Sequence, residues 1–94
     1  MFGLIGKCRC VPGRRRDVIA AMQMGGASMP GCRSYVIAED PTDVDCIWVT
    51  EVWDTEEQHT ASLQLQAVKD AIAVARPLIA GFEFHVKTKP VAGV

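Results

Sequence analysis

The stretch CIWVTEVWDTEEQHTASL, residues 46–63, decides the fold. Its first eight residues are rich in β-branched and aromatic side chains, a composition typical of a β-strand. After the strand, Asp54 or Thr55 can cap a helix, and Glu57 or Gln58 follows three residues later to complete a capping box. The stretch therefore predicts a strand that leads directly into a capped helix. Its acidic residues favour the positive end of the helix dipole, so they have a structural explanation.

The flanking segments alternate between strand and helix patterns. Besides the central strand, the residue pattern predicts strands at 2–11, 32–39 and 82–90. A first helix begins at Arg14 and stops at Gly25 and Gly26. A second, amphipathic helix carries apolar residues at steps of three and four, namely Leu65, Val68, Ile72, Ala75 and Ile79. Pro77 is expected to end or kink this helix, and Gly81 to separate it from the last strand.

The predicted order β-α-β-β-α-β is that of the ferredoxin-like α+β fold, with two helices on one face of an antiparallel sheet. On the central strand, Ile47 and Val49 lie on one face, because successive side chains point in opposite directions. Cys46, Trp48 and Val52 lie on the other face, so both faces are apolar. One layer of helices covers only one of them. We therefore expect a second copy of the chain to cover the other, which makes the protein a homodimer.

Composition limits the class of protein. With 94 residues the chain is long enough for one domain, 1–94, with a thin core. A net charge of −1 and 6% aromatic residues argue against a nucleic-acid partner, and the basic run at 14–16 is interpreted as a solvated helix start. No apolar run is long enough to span a membrane, and Lys7 and Arg9 interrupt the first one. We expect no membrane partner, no signal peptide and a cytoplasmic location.

The four cysteines are Cys8, Cys10, Cys32 and Cys46. Cys8 and Cys10 lie two apart on a predicted strand, so their side chains project in parallel, which does not suit a mutual disulfide. The C-x-C spacing without a second close pair also misses the usual zinc patterns. Buried free thiols and no metal are the expectation, and a metal site with His59 or His85 is the alternative.

Several short motifs in a fixed order carry a resemblance to a known family. They are Pro12-Gly13 before the first helix, PGCRSY at 30–35, E-x-W at 51–53 with the acidic helix start after it, and RPLIAGF at 76–82. In order and spacing the chain resembles the antibiotic biosynthesis monooxygenase family, small dimeric α+β barrels that include quinol monooxygenases. The resemblance implies oxygenation of polyphenols, anthrones or quinols with O₂ and without flavin, haem or metal. The same family also includes relatives that degrade haem and others with no established substrate.

The resemblance implies a pocket with three catalytic candidates. His59 can act as the base that takes a phenolic proton, because histidine titrates near neutral pH. Trp53 can form an aromatic wall and donate its indole N–H, and Tyr35 can donate to a substrate oxygen. Each also has a structural interpretation: Trp53 in the core, His59 on the surface and Tyr35 in the dimer interface.

Three further residues complete the predicted substrate pocket. Glu51 lies on the same strand face as Trp53 and can orient either ring, although a structural hydrogen bond is the alternative. Many family members carry a histidine about eleven residues after this Glu, where this chain has Ser62. His59 lies three residues earlier, close to one helical turn, so both positions can face the same way. Met22 can line an adaptable pocket or pack between helices.

The leading hypothesis is a cofactor-independent monooxygenase, an oxidoreductase that acts on a reduced quinol- or anthrone-type aromatic. A non-catalytic dimeric module that binds a small hydrophobic molecule is the first alternative. A haem-binding or haem-degrading relative, with His59 as the axial ligand, is the second.

Overall fold

The structure is a computed structural model that describes residues 1–25 and 29–94. Its elements, in chain order, are β1 (Phe2–Cys10), α1 (Arg15–Gly25), β2 (Cys32–Glu39), β3 (Cys46–Trp53), α2 (Glu56–Ser62), α3 (Gln66–Ala75), a 3₁₀ turn (Arg76–Leu78) and β4 (Ile79–Thr88). The predicted helix stop at Gly26 lies outside the described residues, and α1 is described up to Gly25. No helix in the described ranges is long and apolar enough to cross a membrane.

The four strands form one antiparallel sheet in the order β2-β3-β1-β4. This arrangement confirms the predicted ferredoxin-like α+β fold. The strand β3 is central, and its last residue Trp53 is paired with Phe2 of β1 and with Cys32 of β2. In the helix layer on one face of the sheet, α1 packs against α3. The end of β3 is therefore flanked by β1 and β2 in the sheet and by the helix layer on one face. These contacts hold the side chains of the candidate site in place.

The core lies between the sheet and the helices. Trp53 is packed with Phe2 and Leu4 in one cluster. Val18 of α1 and Ile47 of β3 are completely buried in a second cluster. Since Trp53 and Ile47 lie on the same face of β3, the two clusters anchor that face at both ends. The helix-facing apolar residues of β3 behave as the sequence predicts.

The predicted second helix is two helices. After α2, the amide groups of Leu63, Gln64 and Leu65 each donate to the carbonyl three residues back instead of four, which tightens and ends the helix. Leu65 then adopts extended backbone angles before α3 begins. The single helix expected from the apolar spacing was wrong at this point, because the break contains neither proline nor glycine to signal it.

The last strand begins earlier than the sequence predicts. Pro77 lies in the 3₁₀ turn after α3, which agrees with its expected role as a helix end. Gly81 is inside β4, where it pairs with Arg9, so its predicted role as a separator was wrong. The neighbouring strand β1 offers backbone partners for residues from Ile79 onward, and this pairing outweighs the local preference of glycine for a break.

The pairing of β1 with β4 contains a bulge at Glu83. Phe84 pairs with Lys7 and Phe82 pairs with Cys8, so Glu83 is the extra residue between them. The bulge region is tied to β1 by an ion pair of Glu83 with Arg9 and by another with Lys7 at 3.4 Å. A second register shift follows between Arg9 and Cys10, where Arg9 pairs with Gly81 and Cys10 pairs with Ile79.

The second face of the sheet is not covered by the helices, and it combines apolar side chains with charged ones such as Lys7, whose ammonium lies 5.6 Å from the centroid of the Trp48 ring. Trp48 lies there, with its ring centroid 5.9 Å from that of Phe84. Val36, Phe84 and Val86 are exposed on this face, Val36 with 52% of its surface. The indole N–H of Trp48 donates to Asp40 at 2.7 Å and lowers the pKa of that carboxyl well below its usual range. The prediction that β3 has two apolar faces is confirmed; we call this one the outer patch.

Arg15 clamps the loop between β2 and β3. Its guanidinium donates to the carbonyls of Asp40, Asp43 and Cys46 and forms an ion pair with Glu39. The basic run at 14–16 was interpreted as a solvated helix start; Arg14 and Arg16 are exposed, while Arg15 is partly buried. The side chain is mostly buried because the loop turns these three carbonyls towards the start of α1, where the guanidinium donates to all of them.

Candidate functional site

A cavity of 480 Å³ lies between the helix layer and the sheet. Most of its wall is apolar and comes from α1, α3 and β4, including Met22, Val68, Ala71, Ile72, Ala75 and Phe82. The polar side chains in the wall are Tyr35, Glu51, His59, Ser62 and Arg76. A few polar groups in a mostly apolar enclosure are typical of a site for a small, largely hydrophobic molecule.

Glu51 connects two aromatic rings at one end of the cavity. The indole N–H of Trp53 donates to Glu51 Oε1 at 3.0 Å, and His59 Nε2 lies 3.8 Å from the same oxygen. Trp53 and His59 also contact each other edge to face, with ring centroids 5.4 Å apart. One carboxylate therefore sets the orientation of the indole and faces the imidazole.

The helix α2 carries His59 to this position. Thr55 caps the helix by accepting from the backbone N–H of Gln58 at 3.2 Å, as the predicted capping box requires. On its other side the imidazole lies against Phe2, with centroids 5.6 Å apart. The hydroxyl of Ser62 donates to the His59 carbonyl at 2.6 Å. His59 is thus enclosed by two aromatic rings and is only partly open to solvent.

Tyr35 faces the cavity from β2, directly opposite Glu51 in the sheet register. Burial raises the pKa of Tyr35 to about 12, and the nearby charge of Glu51 adds to the effect. The phenol therefore keeps its proton through the physiological range and stays available as a hydrogen-bond donor.

All six residues predicted for the site line this one cavity, namely Tyr35, Trp53, His59, Glu51, Ser62 and Met22. Their common location is a finding, while their catalytic or binding roles stay predictions. Sequence reasoning missed Arg76 and Phe82 as wall residues. A signal for Arg76 was present, since it is the one charged residue between positions 71 and 82.

The cysteines do not contribute to the cavity wall. All four are free thiols, and Cys8, Cys10 and Cys46 are buried while Cys32 is partly exposed, so the predicted burial is confirmed for three. Desolvation raises the pKa of the Cys8 thiol to about 12. Within residues 1–25 and 29–94, no three His, Cys, Asp or Glu side chains lie together in a way that could hold a metal ion.

Known proteins agree with this architecture. The family described as antibiotic biosynthesis monooxygenase matches residues 1–74. A crystal structure from Chloroflexus aurantiacus J-10-fl, named provisionally as an antibiotic biosynthesis monooxygenase, is similar over 99% of this chain and 95% of that one, with 57% identity and a TM-score of 0.96.

More distant structures share the fold. A protein of Nitrosomonas europaea with the same provisional name is 14% identical, with a TM-score of 0.86 over 98% of this chain and all of that one. A conserved protein of Methanosarcina mazei Go1 is 11% identical, with a TM-score of 0.81 over 94% and 90%. No curated protein matches the sequence. The matched region includes β1 to α3 and the pocket residues they carry, and the chain belongs to the antibiotic biosynthesis monooxygenase family.

Proposed function

We propose that this protein is a monooxygenase that oxidises a reduced aromatic of the quinol or anthrone type with O₂, using no flavin, haem or metal. The observation that carries the proposal is the arrangement of Glu51, Trp53 and His59 at one end of an apolar cavity. A base held against an aromatic wall in a low-dielectric enclosure is what the formation of a substrate anion requires.

In the proposed reaction His59 takes a proton from the bound substrate. Glu51 lies 3.8 Å from the imidazole and orients it, while Trp53 supports the substrate ring. Tyr35 donates a hydrogen bond to the oxygen on which negative charge develops. The base and the donor both face the cavity, as this division of roles needs.

The substrate anion then reduces O₂ without help from a cofactor. One electron passes to O₂, and the two radicals combine to form a carbon–oxygen bond. For an anthrone, the resulting peroxide anion takes back the proton from His59, and the hydroperoxide so formed loses water, which leaves the quinone carbonyl. One O₂ is consumed and one water is released for each substrate molecule, so the stoichiometry can be measured directly.

The outer patch supports a homodimer. Its exposed residues Val36, Phe84 and Val86 adjoin Trp48 in the middle of the sheet, and a monomer would leave this apolar surface in water. A second copy placed face to face would cover it. Light scattering at micromolar concentration is expected to give about twice the chain mass of 10.2 kDa, and a mass of one chain would overturn the dimer.

Oxygen consumption by metal-free protein tests the oxygenase proposal. The substrates are a panel of anthrones and naphthohydroquinones, and the variants are Trp53→Phe and His59→Ala. His85→Ala is the matched control, because His85 is exposed on β4 and is not part of the cavity wall. We expect uptake above the autoxidation rate in wild type and His85→Ala, and a loss of about 10²-fold or more when the base is removed.

The opposite outcome has a defined meaning. If no substrate exceeds autoxidation, the protein is better described as a non-catalytic module that binds hydrophobic molecules. Quenching of tryptophan fluorescence by the same aromatics would then remain, without oxygen uptake. If uptake exceeds autoxidation but both site variants match wild type, the roles proposed for Trp53 and His59 are wrong. Titration with micromolar haem examines the third possibility, since an axial His59 would produce a Soret band.

A further inference from the structure

Arg76 is the one charged wall residue that does not belong to the Glu51 end of the cavity. It follows the last residue of α3, and it takes part in none of the ion pairs found among the described residues. Around it the wall is apolar, with Ala75, Ile79 and Ala80 from the same turn and strand. The side chain is exposed, and no side-chain hydrogen bond of Arg76 is found within residues 1–25 and 29–94, so its guanidinium donors are open to water and to a ligand.

Arg76 and Glu51 belong to opposite ends of the site. Glu51 pairs with Leu4 near the start of β1, whereas Ile79, just after Arg76, pairs with Cys10 at the end of β1. At about 3.3 Å per residue, the six steps from Leu4 to Cys10 correspond to roughly 20 Å of backbone. The cavity wall includes residues from both regions, with the acid–imidazole pair near the start of β1 and Arg76 near its end.

We propose that Arg76 binds a carboxylate carried by the aromatic substrate, at the end of the molecule remote from the ring that is oxidised. The inference rests on the proposed function for the identity of the reacting ring. It narrows the substrate class from any reduced aromatic to an elongated aromatic acid. A carboxylate matches the planar fork of a guanidinium, which can donate two parallel hydrogen bonds to it.

A pair of ligands that differ only in charge tests the inference. Anthraquinone-2-carboxylate and 2-(hydroxymethyl)anthraquinone share the same three rings, and neither can be oxidised further in the proposed reaction. Binding is measured by quenching of Trp53 fluorescence in the full chain. We expect the carboxylate to bind about 5- to 10-fold more tightly than the alcohol, the size expected for a partly exposed charge-assisted hydrogen bond.

Variants assign the preference to Arg76. Arg76→Met is expected to abolish it by weakening only the carboxylate, and Arg76→Lys to keep part of it. Arg16→Met is the matched control, since Arg16 is exposed on α1 outside the cavity. Raising the salt concentration should reduce the preference in wild type and leave the alcohol unaffected, which keeps a test available if Arg76→Met does not fold.

Two results would overturn the inference. Equal affinity of wild type for the two ligands would mean that no cation in the cavity binds the carboxylate. Equal weakening of both ligands by Arg76→Met would mean that Arg76 only supports the end of α3, where a basic residue also favours the helix dipole. Because these ligands bind without turnover, a charge preference without oxygen uptake would contradict the oxygenase alone, and uptake without the preference would contradict only this inference.

Discussion

Raising the pH should titrate Tyr35 far above the range of an ordinary phenol. Burial in the cavity wall is the largest cause, and the charge of Glu51, its partner in the sheet register, comes next. Together they raise the pKa of Tyr35 from 10.0 to about 12. At about 1.4 kcal/mol per pKa unit, the difference corresponds to about 2–3 kcal/mol of folding free energy linked to this one proton.

The sign of the effect follows from the direction of the shift. Because the folded pKa is the higher one, the stabilising contribution is complete below pH 10 and is lost as the pH rises from 10 towards 12. Tyr35 is the only tyrosine, so the absorbance change at 295 nm reports on it alone. We expect a midpoint near 12 in native protein and near 10 in concentrated urea.

Two variants make the test specific. Tyr35→Phe should remove the signal, and the difference in unfolding free energy between wild type and this variant should shrink between pH 10 and 12. Glu51→Gln should lower the native midpoint but leave it above 10, because burial is the larger cause. A native midpoint at 10, with far-UV circular dichroism unchanged, would show that Tyr35 is in contact with water and would refute the burial on which its role as a donor depends.

Two further predictions concern the loop and the cap that position α2. Gly31→Ala and Gly13→Ala should each lower the free energy of unfolding in urea by about 1–2 kcal/mol, because both glycines have a positive φ, +82° and +80°, that L side chains rarely adopt. The end of the Gln58 side chain near the new Cβ of residue 31 is flexible and can move aside, so a cost at Gly31 far above that at Gly13 would contradict this reasoning. Thr55→Ala should cost about 1 kcal/mol through the lost cap, while Thr60→Ala in the same helix should change stability by less than half of that, and the reverse order would contradict the capping assignment.

The sequence predicted the elements whose signals are local. The β-branched run of β3 with apolar residues on both faces, and the cap at Thr55, follow from neighbouring residues alone, and the structure confirms them. The grouping of the site residues was also accessible, because Glu51 and Trp53 share a strand face and His59 follows within one turn of a capped helix.

The errors arose where the linear pattern carries no signal for the observed structure, or a misleading one. Leu65 carries no helix-breaking signal, yet the chain ends one helix before it and starts another after it. Gly81 resembles a break in isolation, but β1 holds it in the sheet. Arg76 was overlooked because its partner in space is a cavity built from α1, α3 and the sheet, which a linear pattern does not show.

The bulge at Glu83 has a consequence for how the last strand is divided between two tasks. Phe82 and Phe84 stand two positions apart, and in a regular strand they would point the same way. The extra residue reverses the alternation, so Phe82 reaches the cavity while Phe84 reaches the outer patch beside Trp48. A relative without the inserted residue must give up an aromatic side chain on one of these surfaces. The length of this strand, more than its composition, therefore determines whether one molecule can both enclose a ligand and present a hydrophobic face for assembly.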